Sequence, residues 1–165
     1  MNTNTNKKRI TLLRIYLAVI IILMIPFTNA CSVFQYQLRP PIFRPYVTET
    51  LQVTAYCACG ECCGWERNWK GQKVYSYGPH KGEKKIVGLT ADGTWAEKGT
   101  IAADTDLFPM GTIMHIEGYG YGVVQDRGSA IQGKHIDIFF KSHAKALEWG
   151  NRDLNIKIWL PKEKK

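Results

Sequence analysis

The sequence lacks the short motifs that mark several common kinds of active site. Its four histidines form no H-x-H or H-E-x-x-H pair, so no histidine-based metal centre is signalled locally. It contains no G-x-S-x-G, which leaves a serine triad without an anchor. Residues 128–135 nearly match a phosphate-binding loop, but His135 stands where the hydroxyl that holds magnesium is needed. We therefore expect no nucleotide chemistry, and we interpret three of the four histidines as surface or packing residues.

A long apolar run is also missing. The run from Ile15 to Phe27 is 13 residues long, whereas a membrane-spanning helix needs about 20. Residues 1–30 contain four cations and no acid, and small residues precede Cys31. This arrangement predicts a secretory signal peptide over residues 1–30, with lipidation of Cys31 or an uncleaved anchor as alternatives to plain cleavage. We therefore expect an exported protein of the cell envelope, in the periplasm, the outer membrane or at the cell surface. It contacts membrane only through this segment or a lipid on Cys31.

The rest of the chain has an ordinary globular composition. The 165 residues are 45% hydrophobic and 22% charged, and residues 31–165 hold 18 cations and 14 acids, a net charge of only +4. Mixed charges of this kind do not indicate nucleic-acid binding. A proline-rich stretch within residues 31–50 predicts an extended tether. We therefore expect one folded domain over residues 51–162.

Short β-like runs separated by glycine-containing turns dominate this domain. A helix is predicted only over His143–Trp149, with Ser142 as its N-cap and Gly150 just after its end. Without a βαβ rhythm, this pattern predicts a mostly β protein, a small closed barrel with one short helix. The predicted strands are Leu51–Tyr56, Lys73–Tyr77, Ile86–Leu89, Thr100–Ala102, Thr112–Glu117, Tyr121–Gln125, His135–Phe140 and Asn155–Leu160.

Four cysteines, Cys57, Cys59, Cys62 and Cys63, lie within seven residues. Export favours disulfides, and the crowded spacing lacks the two separated knuckles that most structural zinc sites have. We therefore predict two disulfides that clamp the loop after the first strand, with the pairing left open. A bound metal and free thiols are the alternatives to this prediction.

Three aspartates, Asp104, Asp126 and Asp137, occur within short strands or at their ends. Asp137 lies inside an apolar strand, where alternation places Ile136 on one face and Asp137 with His135 on the other. Desolvation there raises the pKa of a carboxyl group, as a general acid requires. For each aspartate taken alone, holding a loop through backbone hydrogen bonds is the more ordinary role.

Several motifs occur together, in the order found in one known family. They are Thr54-Ala55-Tyr56, Gly88-Leu89-Thr90-Ala91-Asp92-Gly93-Thr94, Ala103-Asp104 followed by Phe108-Pro109-Met110-Gly111-Thr112, Gly118-Tyr119-Gly120, the stretch Gln125–Gly133 and Ile136-Asp137-Ile138-Phe139. This pattern resembles the three-aspartate (3D) domain of bacterial cell-wall enzymes. These include the catalytic part of membrane-bound lytic transglycosylase A and the stationary-phase muralytic proteins. Arg127 and Ser129 depart from the pattern, because Thr and Gly are usual there.

The resemblance implies a six-stranded double-psi β-barrel that cleaves the glycan strands of peptidoglycan. The implied activity is that of a lytic transglycosylase, which leaves 1,6-anhydro-N-acetylmuramic acid ends and needs no cofactor or metal. A peptidoglycan hydrolase of the same fold is one alternative. A non-catalytic glycan-binding barrel and a disulfide-stapled structural protein of the envelope are the others.

The resemblance also implies roles for individual residues. Asp137 corresponds to the acid/base of the family, while Asp126 and Asp104 are expected to hold the site or stabilise developing positive charge. Thr54, Tyr56 and Thr90 are expected to contact sugar. The aromatic residues proposed to stack on sugar faces, with barrel packing as the alternative role, are Trp95, Tyr119 and Tyr121.

Overall fold

The computed structural model describes residues 44–162. The predicted signal peptide, the lipidation site at Cys31 and most of the predicted tether lie outside this range. The first strand begins at Val47, inside the predicted tether, so regular structure starts before Leu51. Among the described residues, no helix combines the length and apolarity that crossing a membrane requires.

The described chain contains eight strands and two short helices. Six strands close into a barrel and two form a separate two-stranded sheet. In chain order the elements are β1 (Val47–Tyr56), α1 (Gly60–Cys63), β2 (Trp65–Arg67), β3 (Lys73–Tyr75), β4 (Thr100–Ala103), β5 (Ile113–Ile116), β6 (Gly120–Asp126), β7 (His135–Phe139), α2 (His143–Trp149) and β8 (Arg152–Trp159).

The barrel strands follow the order β1-β7-β4-β6-β5-β8, and β8 pairs with β1 to close the ring. Two pairs, β1–β7 and β4–β6, are parallel, and the others are antiparallel. Parallel neighbours cannot be joined by a tight hairpin turn. The chain accordingly passes through β5 between β4 and β6, and through all the elements from α1 to β6 between β1 and β7. The predicted mostly β fold with a closed six-stranded barrel is confirmed, with two short helices instead of one.

The barrel interior is filled by alternate residues of the strands. Ile136 and Ile138 of β7 are fully buried inside, so His135, Asp137 and Phe139 face the other way. Full burial of each such side chain contributes about 1.5–3 kcal/mol. The core consists of Leu51, Val53, Ile101, Ala103, Phe108, Met114, Ile116, Tyr119, Val124, Ile136, Ile138, Trp149, Ile156 and Ile158.

Helix α2 has the predicted bounds. Ser142 precedes it in an extended conformation, and Gly150 ends it with a φ of 68°, a left-handed value that favours glycine. The buried Trp149 donates from Nε1 to the Val53 carbonyl at 3.2 Å, which ties the helix to β1. The end of α2 is thereby fixed against the middle of β1.

The predicted strand Ile86–Leu89 is wrong. These residues form a turn in which Gly88 has a φ of 89°, a conformation outside that of a regular strand. Ile86 is 56% exposed, so its apolar character does not report burial in the barrel. The short elements α1 and β2 were not predicted.

Candidate active site

Two of the three aspartates lie on the outer face of four neighbouring barrel strands. Asp137 of β7 pairs with Thr54 of β1 on one side and with Ala102 of β4 on the other. Ala102 also pairs with Asp126 of β6, just after a β-bulge. Strands lie about 4.8 Å apart, so the Cα atoms of the two aspartates are about 10 Å apart, with the small Ala102 between them.

A groove with a cavity volume of about 660 Å³ runs over this face. Its floor is a small buried cluster of Tyr56, Ala102 and Phe139, in which the two aromatic rings meet edge to face at 5.4 Å. Asp126 and Asp137 both line the groove. The walls come from outside the barrel strands. They are formed by Ala58, Cys62 and Cys63 at helix α1, Tyr75 at the end of β3, Tyr77, residues 84–91 in part, Ala96 and residues 127–131.

Asp137 has a half-buried carboxyl group with one side-chain donor. The Thr54 hydroxyl donates to Asp137 Oδ1 at 2.9 Å. The pKa of Asp137 is raised to about 6, because the raising effects of burial and, to a smaller degree, of the Asp126 charge exceed the lowering effects of Thr54 and His135. A carboxyl group with this pKa holds its proton in part near neutral pH and can both give and take one.

His135 extends this hydrogen-bonded chain. Its Nε2 lies 2.9 Å from the Thr54 hydroxyl oxygen. Because Thr54 has one hydroxyl proton and gives it to Asp137, the His135 ring must donate from Nε2 to Thr54. His135 therefore contacts Asp137 through Thr54, an arrangement that sequence reasoning missed, although strand alternation already placed it on the face of Asp137.

Both carboxylate oxygens of Asp126 accept hydrogen bonds. Its Oδ1 accepts hydrogen bonds from the backbone amides of Ala91 at 3.1 Å and Arg127 at 2.9 Å. Its Oδ2 accepts one from the Tyr56 hydroxyl at 3.2 Å. Burial, followed by the charge of Asp126, raises the pKa of Tyr56, so Tyr56 keeps its proton and acts as a donor. This arrangement presents a fixed carboxylate on the opposite side of Ala102 from Asp137.

Asp104 lies elsewhere and does not line the groove. Its two carboxylate oxygens accept hydrogen bonds from the backbone amides of Asp106 at 3.1 Å and Gly133 at 2.8 Å. The second bond joins the turn after β4 to the loop that leads into β7. Asp104 thus braces the strand that carries Asp137 and has no direct access to a ligand in the groove.

Among the residues predicted to bind sugar, Thr54, Tyr56 and Thr90 line the groove or contact its aspartates. The buried Thr90 hydroxyl donates within its own loop, to Asp92 at 2.7 Å and the Thr94 carbonyl at 2.8 Å, so it shapes the wall.

The three aromatic residues proposed to stack on sugar do not line the groove. Tyr119 is in the core, where its hydroxyl donates to the Phe139 carbonyl at 2.9 Å and accepts from the Gly99 amide at 2.8 Å. The structure therefore corrects the sugar-stacking prediction for Tyr119, since burial leaves no free ring face. Tyr121 packs on His115, with ring centroids 4.6 Å apart, and Trp95 is 64% exposed beyond the groove lining.

The four clustered cysteines are free thiols, so the two predicted disulfides are not formed in this structure. Cys57, Cys59 and Cys62 gather around His143, the first residue of α2. Cys63 points elsewhere and donates from Sγ to the Cys57 carbonyl at 3.1 Å. Burial raises the pKa of the Cys63 thiol to about 11, so it stays protonated.

Comparison with known proteins confirms the resemblance. The family model of the 3D domain matches residues 99–160, which include β4 to β8 and all three aspartates. The Bacillus subtilis (strain 168) protein YabE, named for a role in shaping the cell wall, is 48% identical over 58 residues. YocH of the same organism, named as a cell wall-binding protein, is 36% identical over 77 residues.

These relatives are much longer than the matched part. The match covers 35% of this chain and 14% of YabE, and 44% of this chain and 27% of YocH. Among solved structures, the lytic transglycosylase MltA from Escherichia coli matches with a TM-score of 0.35 and 20% identity, over 42% of this chain and 26% of that one.

Proposed function

We propose that this 3D-domain protein cleaves the glycan strands of peptidoglycan as a lytic transglycosylase, with Asp137 as its acid/base. The observation that carries the proposal is the half-buried carboxyl group of Asp137, which lines an open groove and has a pKa of about 6. The 3D-domain match and the two relatives named for the cell wall support the substrate class.

The reaction needs one group that first gives a proton and then takes one. Protonated Asp137 donates to the glycosidic oxygen between N-acetylmuramic acid and N-acetylglucosamine as that bond breaks. The resulting carboxylate accepts the proton of the substrate's own C6 hydroxyl as the C6 oxygen bonds to C1. The product is a 1,6-anhydro ring, no water is consumed, and Asp137 ends protonated, ready for the next cycle.

Asp126 is suited to the charge that develops on the sugar ring. Backbone amides hold its carboxylate in place, so little reorganisation is needed as an oxocarbenium-like charge forms. Lys84, Lys85 and Arg127 line the same groove. These cations favour a strand that carries carboxylates, as the lactyl and peptide groups of peptidoglycan do.

The test is mass spectrometry of fragments that the purified protein releases from isolated sacculi. We expect 1,6-anhydro ends, and none from the Asp137→Asn protein. Reducing ends instead would assign hydrolysis and require a second catalytic carboxylate, with Asp126 the first candidate. Tight binding to sacculi without release of fragments would overturn the enzymatic proposal and leave a glycan-binding barrel.

This function also requires the protein to reach its substrate outside the cytoplasmic membrane, as the predicted signal peptide implies. Cell fractionation of a producing bacterium tests this directly. We expect the chain in the envelope or the medium, beginning at or near Cys31. Recovery of the intact chain only from the cytosol would contradict both the placement and the substrate.

A further inference from the structure

Four ligand-type side chains converge beside the groove, outside the machinery described above. The Sγ atoms of Cys57, Cys59 and Cys62 and one ring nitrogen of His143 all lie within 4.8 Å of one another. Cys57 follows β1, Cys59 precedes α1, Cys62 lies within α1, and His143 opens α2. The three cysteines are close together in the sequence, but His143 is about 80 residues away, so its approach to all three sulfurs is not a by-product of local sequence crowding.

The spacing of these atoms matches a tetrahedral metal shell. A Zn²⁺ ion with Zn–S bonds of about 2.3 Å and a Zn–N bond of about 2.0 Å separates two sulfurs by about 3.8 Å and sulfur from nitrogen by about 3.5 Å. The Cys57 and Cys62 sulfurs are 3.8 Å apart. His143 Nδ1 lies 3.7, 3.4 and 3.5 Å from the sulfurs of Cys57, Cys59 and Cys62.

The surroundings of the cluster also suit a bound cation. The other ring nitrogen of His143, Nε2, lies 3.1 Å from a carboxylate oxygen of Glu61. Metal-bound histidines usually have such a partner, which fixes the ring orientation and the tautomer. Cys59 and Cys62 form a C-x-x-C knuckle, in which the Cys62 amide lies 3.4 Å from the Cys59 sulfur.

We propose that Cys57, Cys59, Cys62 and His143 bind one structural Zn²⁺ ion. Three thiolates and an imidazole are ligands that Zn²⁺ favours, and four protein ligands leave no open position for a reacting water. The ion replaces the two disulfides expected from the sequence. Binding at neutral pH releases the thiol protons to solvent, and no electron transfer is involved.

The site ties the groove wall to the barrel. Cys62 and Cys63 line the groove and pack against the cluster formed by Tyr56, Ala102 and Phe139. The ion joins the end of β1, helix α1 and the start of α2, so it holds this wall in place next to Tyr56. A helix of four residues has little stability of its own, which makes such an anchor effective.

The first experiment measures metal content. The full-length protein, purified from cells without added metal or oxidant, is expected to contain about one zinc ion per chain, as measured by elemental mass spectrometry. Replacement by Co²⁺ should give the absorption bands of a tetrahedral site with thiolate ligands. Zinc-free protein that takes up neither ion, or protein with all four thiols paired as disulfides, overturns the proposal.

The second experiment uses Cys63 as a matched control. Cys59→Ser and His143→Ala are expected to lose most of the bound zinc, whereas Cys63→Ser keeps it, although all three positions are near the same loop. Glu61→Gln is expected to keep the metal but to bind it about 10-fold more weakly. This is the lower end of the loss in metal affinity seen when the hydrogen-bond partner of a metal-bound histidine is removed, as suits the exposed Glu61. Equal zinc loss in Cys63→Ser and Cys59→Ser would contradict the assigned ligands.

If the ligand variants fold poorly, reversible chelation of the wild-type protein answers the same question. A strong chelator is expected to lower its melting temperature, and added Zn²⁺ should restore it. A melting temperature that chelation leaves unchanged would overturn a structural role. Metal binding is measured without substrate, so this proposal stands or falls independently of the glycan-cleaving function.

Discussion

Asp104 and Asp137 are the same residue type on the same barrel, yet they have opposite environments. Both oxygens of Asp104 accept backbone amide protons, so the carboxyl group is held by the chain on both sides. Asp137 accepts a single hydroxyl proton and is half-buried in the groove, where its pKa rises to about 6. The two carboxyl groups therefore differ in their donors, which are backbone amides at Asp104 and a side-chain hydroxyl at Asp137.

Asp126 lies between these two cases. Like Asp104 it accepts two backbone amides, and like Asp137 it faces the groove. Three aspartates that a sequence pattern treats alike thus have three different environments, which we propose correspond to an acid/base at Asp137, a fixed charge at Asp126 and a brace at Asp104. Substitution by asparagine, which keeps size and removes charge, tests this division at each position.

The largest effect is expected for Asp137→Asn. Loss of the acid/base should lower the rate of sacculus digestion at least about 100-fold, the low end for general acid–base catalysis. Activity of the wild-type protein should also fall as the pH rises above about 6, because the proton donor is lost as Asp137 ionises. Digestion by Asp137→Asn at the wild-type rate would remove Asp137 from the mechanism.

The Asp137→Asn substitution should lower activity but raise the free energy of unfolding. The folded-state pKa of about 6 exceeds the ordinary value of 3.8, so the wild-type protein loses stability as pH rises from about 4 to 6. The asparagine of Asp137→Asn has no charge to bury, so the variant is expected to be more stable at pH 7 by up to about 3 kcal/mol, and equal below pH 4. Denaturant unfolding at both pH values measures this difference.

The next largest effect is expected for Asp126→Asn. The amide keeps one oxygen for the backbone donors and can donate to Tyr56, so the groove should remain intact while its fixed charge is lost. We expect activity to fall about 10-fold or more. The pKa of Asp137 should also drop, since Asp126 raises it, and the falling limb of the pH profile should move to lower pH. Asp153→Asn, an exposed acid on β8, is the matched control.

Asp104→Asn should affect folding rather than chemistry. An asparagine can accept only one of the two amide protons that Asp104 accepts, and we expect a loss of about 1 kcal/mol in the free energy of unfolding. Activity per folded molecule should remain within about twofold of wild type. A large loss of activity at full stability would place Asp104 in the machinery and remove the distinction from Asp137. Asp106→Asn, an exposed neighbour, serves as the control.

The smallest effect is expected for Thr54→Val. The change removes the hydroxyl that lowers the pKa of Asp137, so Asp137 should hold its proton to higher pH and the falling limb of the profile should move upward. This shift is opposite to that of Asp126→Asn. Thr50→Val removes a hydroxyl from the same strand, bonded to Asn155 instead, and should leave the profile unchanged. An unmoved limb in Thr54→Val would contradict the His135–Thr54–Asp137 chain.

Patterns with a strong local cause could be predicted from the sequence. The alternation around Asp137 and the N-cap and glycine around α2 gave the correct face and the correct helix bounds. The apolar run Ile86–Leu89 led to a wrong strand prediction, because Ile86 and Leu89 line the groove instead of filling the barrel. Hydrophobicity alone does not distinguish a buried strand from an apolar wall of a binding groove.

Features that join distant segments could not be predicted. His143 meets the cysteines only because Trp149 anchors α2 against β1, a contact with no local signature. The separation of Asp104 from the groove likewise depends on the register of the barrel strands. A sequence motif gives the order of its residues along the chain, but not the side of the barrel on which each one lies. The assignment of Tyr119 to the core depends on its two backbone partners, Gly99 and Phe139.

The way β1 is shared between two partners has a consequence for folding. Its first part pairs with β8 and its last part with β7, so the first strand of the barrel completes its hydrogen bonds only with strands from the end of the domain. Pairing at such long range raises the contact order and slows folding. A chain that emerges in sequence order presents β1 as an unpaired edge until β8 follows, a state prone to intermolecular pairing. Truncation before Arg152 removes β8, so the first part of β1 should remain unpaired and prone to intermolecular pairing.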